Sequence, residues 1–232
     1  MNTNKQILYS IIIPVLNEEF TIVETLRNLF NIIKNDEKIE VIIVDNGSTD
    51  QTLKKSRKFP VRIIYEKKKG YGRALQAGIY HSKGDFIAIF DGDNTYDLSK
   101  LPFMLKLSLK YDLIIGNRLK FKKNHSSFSS VNLIGNKLLS LFVRIFFKLP
   151  IQDTQSGFRV FKKKRFFNLS NATGMEYALD ILLRASKSQY SIIEIPINYY
   201  LRHKESKSKL EIRKDSLKIF KQFLLNFFPI NN

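Results

Sequence analysis

The chain of 232 residues contains no cysteine, which excludes disulfides and thiolate metal sites without identifying the cellular compartment. It also lacks an uninterrupted run of about 18 apolar residues, the length that a membrane-spanning helix needs, so none is expected. The polar N-terminus shows no signal-peptide pattern and leads directly into a predicted strand. With 44% hydrophobic residues, the chain can build a core, and its length suits one α/β domain or a domain with an appendage.

Several common kinds of catalytic and nucleotide-binding motif are also missing. Neither a Ser-His-Asp order nor a Gly-x-Ser-x-Gly elbow is present. The run Gly70-Tyr71-Gly72 does not match a Rossmann or P-loop fingerprint. The histidines lack metal-ligand spacing and are predicted to be surface or structural residues: His81, His125 and His203.

Acidic residues are scarce, because 21 Asp and Glu stand against 39 Lys and Arg, for a net charge of +18. Such a surface favours an anionic partner, which includes nucleic acid, anionic lipid headgroups and phosphorylated ligands. A non-catalytic basic module for anionic membrane or nucleic acid is therefore one alternative. RNA binding would favour aromatics interleaved with arginine on an exposed strand, and no such ribbon is visible, so no nucleic-acid partner is expected.

The first half of the chain alternates between strand-like and helical patterns. Predicted strands, rich in Ile and Val, cover residues 9–15, 40–45, 61–66, 85–90 and 113–116. Helices are predicted from Thr21 to about Lys34, near Ser48 to Asp50, and after Gly72, the first on the capping-box form of residues 21–24. This alternation predicts an α/β fold with a mostly parallel, Rossmann-like sheet and helices on both of its faces.

Two amphipathic helices are predicted in the second half of the chain. Residues 133–149 are strongly apolar but carry polar residues at helical spacing, and residues 211–228 repeat the pattern. Each helix is either an ordinary core helix or a membrane-interface helix, and the latter is favoured by phenylalanine-rich turns beside cationic residues. We predict a domain over residues 1–210 and a C-terminal amphipathic helix over residues 211–232.

Polar side chains follow several predicted strands at their carboxyl ends, where open parallel sheets bind ligands: Asn17, Asp45, Asp91 and Asp93. Two carboxylates two residues apart, as in Asp91-Gly92-Asp93, can hold one Mg²⁺ or Mn²⁺ ion, because hard cations prefer oxygen ligands. Taken alone, the pair is a weak signal for a metal, because surface pairs of acids in loops are common. Asp45 either accepts hydrogen bonds from a base or ribose or belongs to a capped strand-to-helix turn.

Taken in order along the chain, four segments resemble the inverting GT-A glycosyltransferases of family 2: residues 14–18, 44–50, 70–74 and 91–93. Later segments are similar to the polyprenyl-phosphate branch of that family: residues 116–118, 153–159, 196–202 and 206–210. That branch includes dolichyl-phosphate mannosyltransferases and bacterial undecaprenyl-phosphate sugar transferases. The resemblance covers residues 9–215 and implies a GT-A fold with amphipathic C-terminal helices.

The resemblance also implies roles toward the nucleotide sugar and its metal. The nucleotide-sugar residues would be Pro14, Asn17, Glu18, Asp45, Gly70, Arg73, Asp91 and Gln155. The ligands of Mg²⁺ or Mn²⁺ would be Asp91, Asp93 and Thr95. Thr95 departs from the family pattern, because many relatives carry Gln at that position, and Asn46 replaces the second of two paired acids.

For the acceptor, the resemblance implies phosphate binding by Arg118, Arg202 and Lys209, and arginine offers a planar donor fork to phosphate oxygens. The predicted catalytic residues are Asp93, Asp153 and Arg118. A phosphate acceptor is already anionic near pH 7, since its second pKa is about 6, so no strong general base is needed. Asp153 is either a base or a sugar orienter, and Glu176 is either a site residue or an interior acid paired with an arginine.

The implied activity is that of an inverting hexosyltransferase. It would move a hexose from a nucleotide sugar of the GDP-mannose or UDP-glucose type to dolichyl or undecaprenyl phosphate. An alternative is the same fold glycosylating a sugar hydroxyl in cell-surface polysaccharide synthesis, which needs a general base. We expect the protein to lie peripherally on the cytoplasmic face of a membrane, docked on anionic lipid or through a membrane-protein partner.

Overall fold

The structure is a computed structural model that describes residues 7–34, 36–206, 209 and 211–228. These residues form a seven-stranded sheet in the order β3-β2-β1-β4-β6-β5-β7. The strands are β1 (Tyr9–Val15), β2 (Ile39–Asp45), β3 (Arg62–Tyr65), β4 (Phe86–Ile89), β5 (Leu113–Asn117), β6 (Arg159–Lys162) and β7 (Ile192–Pro196). The helices are α1 (Ile22–Ile33), α2 (Thr52–Ser56), α3 (Tyr71–His81), α4 (Leu101–Leu107), α5 (Ser130–Phe147), α6 (Lys163–Phe166), α7 (Tyr177–Lys187) and α8 (Ile212–Phe227).

The sheet is mostly parallel, as predicted. Strand β1 pairs in parallel with β2 and β4, β2 with β3, and β5 with β7. Strand β6 runs antiparallel between β4 and β5 and was not predicted as a strand. Because β6 runs the other way, the loop that precedes it lies at the edge where β4 and β5 end. Residues 153–158 are therefore carried to the ligand-binding edge of the sheet.

The core has two layers because side chains alternate between the faces of each strand. On β1, Ile11 and Ile13 pack with the apolar residues of α1 and α4. Ile12 lies on the opposite face, with the apolar residues of α3 and α7. Helix α3 approaches β1 closely at Gly78, where a Cβ atom would lie 2.5 Å from the Cγ2 of Ile12. Helices thus cover both faces, as the sequence predicts.

Helix α1 begins where predicted, but the predicted capping box is wrong. The side chain of Thr21 makes no capping hydrogen bond to the helix. Its hydroxyl instead donates to the carbonyl oxygen of Gly92 at 3.0 Å, and Thr25 donates to the same oxygen at 3.1 Å. The tertiary partner replaces the local one and fixes the Asp91-Gly92-Asp93 loop to the start of α1.

Helix α5 is long and apolar enough to cross a membrane, and within the described residues it alone meets that test of length and composition. No helix of this kind was expected from the sequence, because polar residues interrupt the apolar run. Of these polar residues, Asn136 and Ser140 are buried, whereas Lys137 and Arg144 are exposed together with Ile134, Leu138 and Ile145. The helix therefore buries two small polar side chains beside Val143 and exposes a surface of apolar and cationic side chains.

Helix α8 packs against α7 through a buried acid. Asp180 accepts hydrogen bonds from Gln222 Nε2 at 2.6 Å and from Asn226 Nδ2 at 2.9 Å. It also accepts one from Ser170 Oγ at 2.6 Å and one from Arg184 Nε at 2.8 Å. The predicted domain boundary at residue 210 lies outside the described residues and stays a prediction.

Candidate active site

The loops that follow β1 and β2 are joined by hydrogen bonds at the carboxyl edge of the sheet. Asn17, in a left-handed conformation (φ 53°), accepts the backbone N–H of Thr49 at 2.8 Å through Oδ1. Its own backbone N–H donates to Ser48 Oγ at 3.0 Å. The buried Asp45 accepts the Ser48 backbone N–H at 3.0 Å, so one carboxylate oxygen supports the turn. Both explanations given for Asp45, turn support and ligand contact, are compatible with this geometry.

Asn46 explains why an amide stands where many relatives have a second acid. Its Nδ2 donates to the carbonyl oxygens of Glu66 at 3.0 Å and Lys68 at 2.9 Å, while its Oδ1 accepts the Gly70 N–H at 2.7 Å. A carboxylate has no hydrogen to donate and could not make the first two bonds. Gly70 is required because its φ is 147° and a Cβ atom would lie 2.3 Å from the Thr173 carbonyl oxygen.

The remaining predicted nucleotide-sugar residues border the same loops. Pro14 is buried in β1, one residue before that strand ends. The backbone N–H of Arg73 donates to the Thr173 carbonyl oxygen at 3.2 Å, in the first turn of α3. In the sheet, Pro14 pairs with Val44, two residues before Asn46, and Arg73 lies in the helix that follows Gly70, a partner of Asn46.

Asp93 is almost fully buried and is oriented by Thr95. Its Oδ1 accepts the Thr95 hydroxyl at 2.6 Å and the Thr95 backbone N–H at 3.1 Å. Its Oδ2 forms an ion pair with the Arg202 guanidinium but receives no hydrogen bond. The Thr95 hydroxyl thus holds Asp93 Oδ1 by a hydrogen bond. The other oxygen of Asp93, Oδ2, is the one that faces the site.

Asp91 lies in a different environment from Asp93. Burial, reinforced by the charge of Asp93, raises the pKa of Asp91 to about 7, and a hydrogen bond from the Tyr71 hydroxyl opposes the rise. Asp91 keeps a partly accessible surface, so solvent moderates the effect of burial. The loop before β6 packs on this acid, since a Cβ atom on Gly157 would lie 3.1 Å from Asp91 Oδ2.

The segment that follows β7 crosses this acidic edge and brings two predicted phosphate ligands to it. Besides its contact with Asp93, Arg202 lies 3.5 Å from Glu18 Oε1. Lys209 Nζ lies 3.7 Å from the same oxygen, and Ser206 Oγ donates to Glu18 Oε2 at 2.6 Å. Burial raises the pKa of Glu18, while Ser206, Lys209 and Arg202 act to lower it. The predicted residues for nucleotide sugar and acceptor phosphate are thus neighbours here.

Arg118 and Asp153 form a buried, bidentate ion pair. Arg118 Nε donates to Asp153 Oδ2 at 2.8 Å and Nη2 donates to Oδ1 at 2.9 Å. Asp153 also accepts the Arg118 backbone N–H at 2.9 Å and Asn136 Nδ2 at 2.7 Å. Burial alone would raise the pKa of Asp153, but the Arg118 charge and these hydrogen bonds outweigh it and hold that pKa below its usual range.

Two aromatic rings fix the plane of the Arg118 guanidinium. Its central carbon lies 5.2 Å from the centroid of the Phe128 ring and 5.1 Å from that of Tyr199. Such cation–π contacts add to the ion pair with Asp153. Atom Nη1 makes no hydrogen bond with any described residue. One corner of a rigid cation is therefore left for a ligand.

Buried atoms without a hydrogen-bond partner are rare in folded proteins, and three side chains in the described part of the chain carry one: Asp93 Oδ2, Gln155 Nε2 and Glu176 Oε2. The other oxygen of Glu176 accepts the backbone N–H groups of Thr173 at 3.1 Å and Gly174 at 2.9 Å. No arginine pairs with Glu176 among the described residues, and both interpretations of this acid, as a site residue or as an interior acid, stay predictions.

Arg159 is a supporting residue that the sequence reasoning missed. It is fully buried and donates to the carbonyl oxygens of Thr154 at 2.9 Å, Ser156 at 2.8 Å and Ala178 at 2.6 Å. Burial lowers the pKa of Arg159 to about 10. Its three bonds fix the backbone on both sides of Gln155. An arginine directly before the apolar pair Val160-Phe161 was the signal that could have found it.

Comparison with curated proteins identifies the family of the chain. Residues 10–170 match the family model described as glycosyl transferase family 2. The chain is 30% identical, over 94% of its length, to the low-salt glycan biosynthesis hexosyltransferase Agl6 of Haloferax volcanii, and it spans 53% of that protein. It is 28% identical to the dolichyl-phosphate hexose transferase of the same organism, over 85% of each chain. It is 26% identical to the dolichyl-phosphate beta-glucosyltransferase of Saccharomyces cerevisiae, over 96% of this chain and 75% of that protein.

Comparison with solved structures identifies the fold. Glucosyl-3-phosphoglycerate synthase of Mycobacterium tuberculosis, in complex with Mn²⁺, UDP and phosphoglyceric acid, aligns with a TM-score of 0.77. The alignment has 18% sequence identity and covers 97% of this chain and 80% of that one. This likeness confirms the predicted GT-A fold. Together with the match of the family model over residues 10–170, it leads to the conclusion that this chain belongs to glycosyl transferase family 2.

Proposed function

We propose that this glycosyltransferase moves a hexose from a nucleotide sugar to a polyprenyl phosphate, with inversion at the anomeric carbon. The observation that carries the proposal is the buried Arg118, which has one edge on Asp153, two rings on its faces and Nη1 unused by the described residues. A guanidinium held this way suits a phosphate oxygen. The names of two relatives, a dolichyl-phosphate hexose transferase and a dolichyl-phosphate beta-glucosyltransferase, support the same acceptor class.

The state of Asp153 favours a phosphate acceptor over a sugar hydroxyl. A hydroxyl must lose its proton to a general base during attack. Asp153 accepts hydrogen bonds from Arg118 and Asn136, and its pKa is lowered, so it is a weak base. A phosphate oxygen is already anionic and needs no such base. A purely basic binding module, the other alternative, does not account for the acids gathered at the carboxyl edge.

We propose Mg²⁺ or Mn²⁺ as the cofactor, held by Asp91 and Asp93. The residues fit such an ion, because both are carboxylates and Asp93 Oδ2 already has a cation as its partner, the Arg202 guanidinium. Among the described residues no group of three or more His, Cys, Asp or Glu side chains forms a metal cage, so the diphosphate and water would supply the other ligands, as is usual for Mg²⁺. When bound, the ion supplies Lewis-acid stabilisation of the departing diphosphate.

The chain's own residues would bind the donor and orient the acceptor. Asp45 would accept hydrogen bonds from the ribose or base, and Gln155 Nε2 would donate to the hexose. Arg202 and Lys209 would meet the phosphates at the edge that they already share with Glu18. Arg118 would hold the acceptor phosphate, whose oxygen forms a bond to the anomeric carbon as the bond from that carbon to the diphosphate oxygen breaks. Attack opposite the leaving group inverts the anomeric centre.

We further propose peripheral docking at the cytoplasmic face of a membrane, on anionic lipid directly or with a membrane-protein partner. Only 17% of the residues of helix α5 are buried, and its exposed side carries apolar residues beside Lys137 and Arg144. On α8, Leu217 and Phe220 are likewise exposed, as is Phe228 directly after the helix. Contiguous exposed apolar surface is typical of membrane or protein interfaces. A lipid-linked acceptor carries its phosphate at the bilayer surface, where such docking would bring Arg118.

The test is to incubate the purified protein with polyprenyl phosphate, Mg²⁺ or Mn²⁺ and a panel of nucleotide sugars, and to follow glycolipid formation and nucleoside diphosphate release. We expect glycolipid from one donor, lost in EDTA and in Asp93→Asn. Asp112→Asn is the control, because Asp112 forms ion pairs with Lys162 and Arg165 away from the site. Nucleotide binding with transfer only to a sugar hydroxyl would contradict the proposed acceptor.

A further inference from the structure

Glu194, on the edge strand β7, connects the two loops that carry Arg118 and Asp153. Its Oε1 accepts the backbone N–H of Asp153 at 2.8 Å, and both of its oxygens lie 3.0 Å from the backbone N of Gln152. Its Oε2 accepts Asn117 Nδ2 at 3.0 Å. Among the described residues no Lys or Arg pairs with this carboxylate. It therefore acts as a hydrogen-bond acceptor for three neutral donors.

Asn117, the last residue of β5, forms the other half of the connection. Its Oδ1 accepts the backbone N–H groups of Leu119 at 2.9 Å and Lys120 at 3.0 Å, which fixes the turn that contains Arg118. Its Nδ2 donates to Glu194. Strands β5 and β7 are parallel neighbours, and Ile115 of β5 lies opposite Glu194 of β7. The hydrogen bond between the Asn117 and Glu194 side chains therefore bridges two neighbouring strands.

Few packing contacts hold these loops from the outer side. A cavity of about 330 Å³ lies against the Glu194–Asn117 bridge, and its wall includes Lys120, Pro150 and Gln152. Close packing is what usually fixes side chains in a protein interior. Beside this cavity, the hydrogen bonds of the bridge add to the direct Arg118–Asp153 contacts in setting the distance between the Arg118 turn and the Asp153 loop.

We propose that Glu194 is a positioning residue for the acceptor phosphate. Together with Asn117, it sets the spacing between Arg118 and Asp153, and through that spacing the direction in which Arg118 Nη1 faces the acceptor. Glu194 does not touch the acceptor itself. This inference rests on the proposed function of Arg118 as the acceptor-phosphate ligand.

The test exchanges the donor and the acceptor of the bridge. In Glu194→Gln, the side-chain oxygen can keep the backbone donors, but its Nε2 then faces Asn117 Nδ2, and two donors oppose each other. In Asn117→Asp, two carboxylates face each other. In the double variant, Gln Nε2 donates to the new Asp, whose other oxygen still accepts the N–H groups of Leu119 and Lys120. The double variant therefore restores the bridge with its polarity reversed.

We expect each single variant to raise the KM for polyprenyl phosphate about tenfold or more, the effect of losing a hydrogen bond to a charged group. The double variant should return to within about threefold of the wild type. The KM for the nucleotide sugar should change less than the acceptor KM in each variant, because the bridge contacts Gln152 and Asp153 but not the nucleotide-side loops that follow β1 and β2.

Glu40→Gln is the matched control, because Glu40 also lies on a strand and accepts hydrogen bonds from Ser10 Oγ and the Lys83 backbone, at the opposite edge of the sheet. It should lower Tm without changing the acceptor KM. The inference is overturned if the double variant shows no rescue, if Glu40→Gln raises the acceptor KM equally, or if Glu194→Gln behaves as the wild type. An inactive wild type with every donor and polyprenyl phosphate would instead overturn the proposed function itself.

Discussion

At the scale of single residues, two acids at the same edge of the sheet have opposite electrostatic surroundings. Burial and the charge of Asp93 raise the pKa of Asp91 to about 7. The Arg118 cation and its hydrogen bonds hold the pKa of Asp153 below its usual range. The two acids therefore suit different roles. Asp91 is placed to bind a metal ion, whereas Asp153 is already paired with the Arg118 cation.

The geometry of Arg118 predicts that a lysine cannot replace it. Arg118→Lys keeps the charge but loses the bidentate contact with Asp153 and the stacking between Phe128 and Tyr199. Loss of two charge-assisted hydrogen bonds should lower kcat/KM for the acceptor by about 100-fold or more. Steady-state kinetics at saturating donor measure this. The exposed Arg57, which donates to the Tyr65 hydroxyl, supplies the control Arg57→Lys, which should be near wild type.

The lowered pKa of Asp153 predicts a specific acid dependence of stability. Because the folded pKa lies below the unfolded one, ionised Asp153 stabilises the fold at neutral pH, and this contribution is lost as pH falls through the folded value. Asp153→Asn should lower the free energy of unfolding at pH 7 by about 3 kcal/mol, since it leaves Arg118 buried and unpaired. The difference in free energy of unfolding between the wild type and Asp153→Asn should become smaller as the pH falls below about 5. Urea unfolding across that range measures it, and a constant deficit would contradict the prediction.

At the scale of secondary structure elements, the short antiparallel strand β6 decides which residues reach the site. It reverses the chain, so the loop containing Asp153 and Gln155 lies beside the ends of β4 and β5. The sequence placed both residues in the site through a family resemblance, without the strand that carries them there. Four residues are too few to show a strand pattern beside a motif rich in polar residues.

The contact between α7 and α8 predicts that Asp180 holds the C-terminal helix in place. Asp180→Ala removes an acceptor shared by Ser170, Arg184, Gln222 and Asn226. The cost should be about 3 kcal/mol, because buried donors lose their partner. Hydrogen exchange of α8 amides should accelerate more than that of β1 amides. An exposed pair, Arg27 with Glu24, supplies the control Arg27→Gln, expected within about 0.5 kcal/mol of the wild type.

At the scale of the whole molecule, the acids of the site and the apolar helices belong to different elements. The chain carries a net charge of +18, yet the acids of the site cluster at the carboxyl edge, where Arg202 and Lys209 balance them. Many of the exposed apolar residues lie on α5 and α8, beside exposed lysines. This distribution suits a protein that meets an anionic surface with its helices while its acids face a metal and a nucleotide.

The outward apolar face of α5 predicts binding to lipid vesicles. Ile134→Gln combined with Ile145→Gln should weaken binding to vesicles containing anionic lipid by about tenfold or more, since each exposed side chain would otherwise be buried. Vesicle sedimentation measures this at two salt concentrations. The matched control is Leu109→Gln, an exposed apolar residue that lies outside both helices. An equal loss of vesicle binding in the α5 double variant and in Leu109→Gln would contradict docking through α5.

The sequence by itself determined the alternating β/α order, the two-layered core and the position of four polar residues at strand ends, because periodicity and strand polarity are local properties of the chain. It also determined the family, because the order of the short motifs along the chain can be recognised without knowledge of the fold. Only the tertiary structure decided contacts between distant segments: Thr21 with Gly92, Arg202 with Asp93, and Glu194 with the Asp153 loop. It also decided that α5 buries Asn136 and Ser140, because their buried partners lie on the loop before β6. A helical pattern fixes which residues share a face, but the neighbouring segments determine which face is buried.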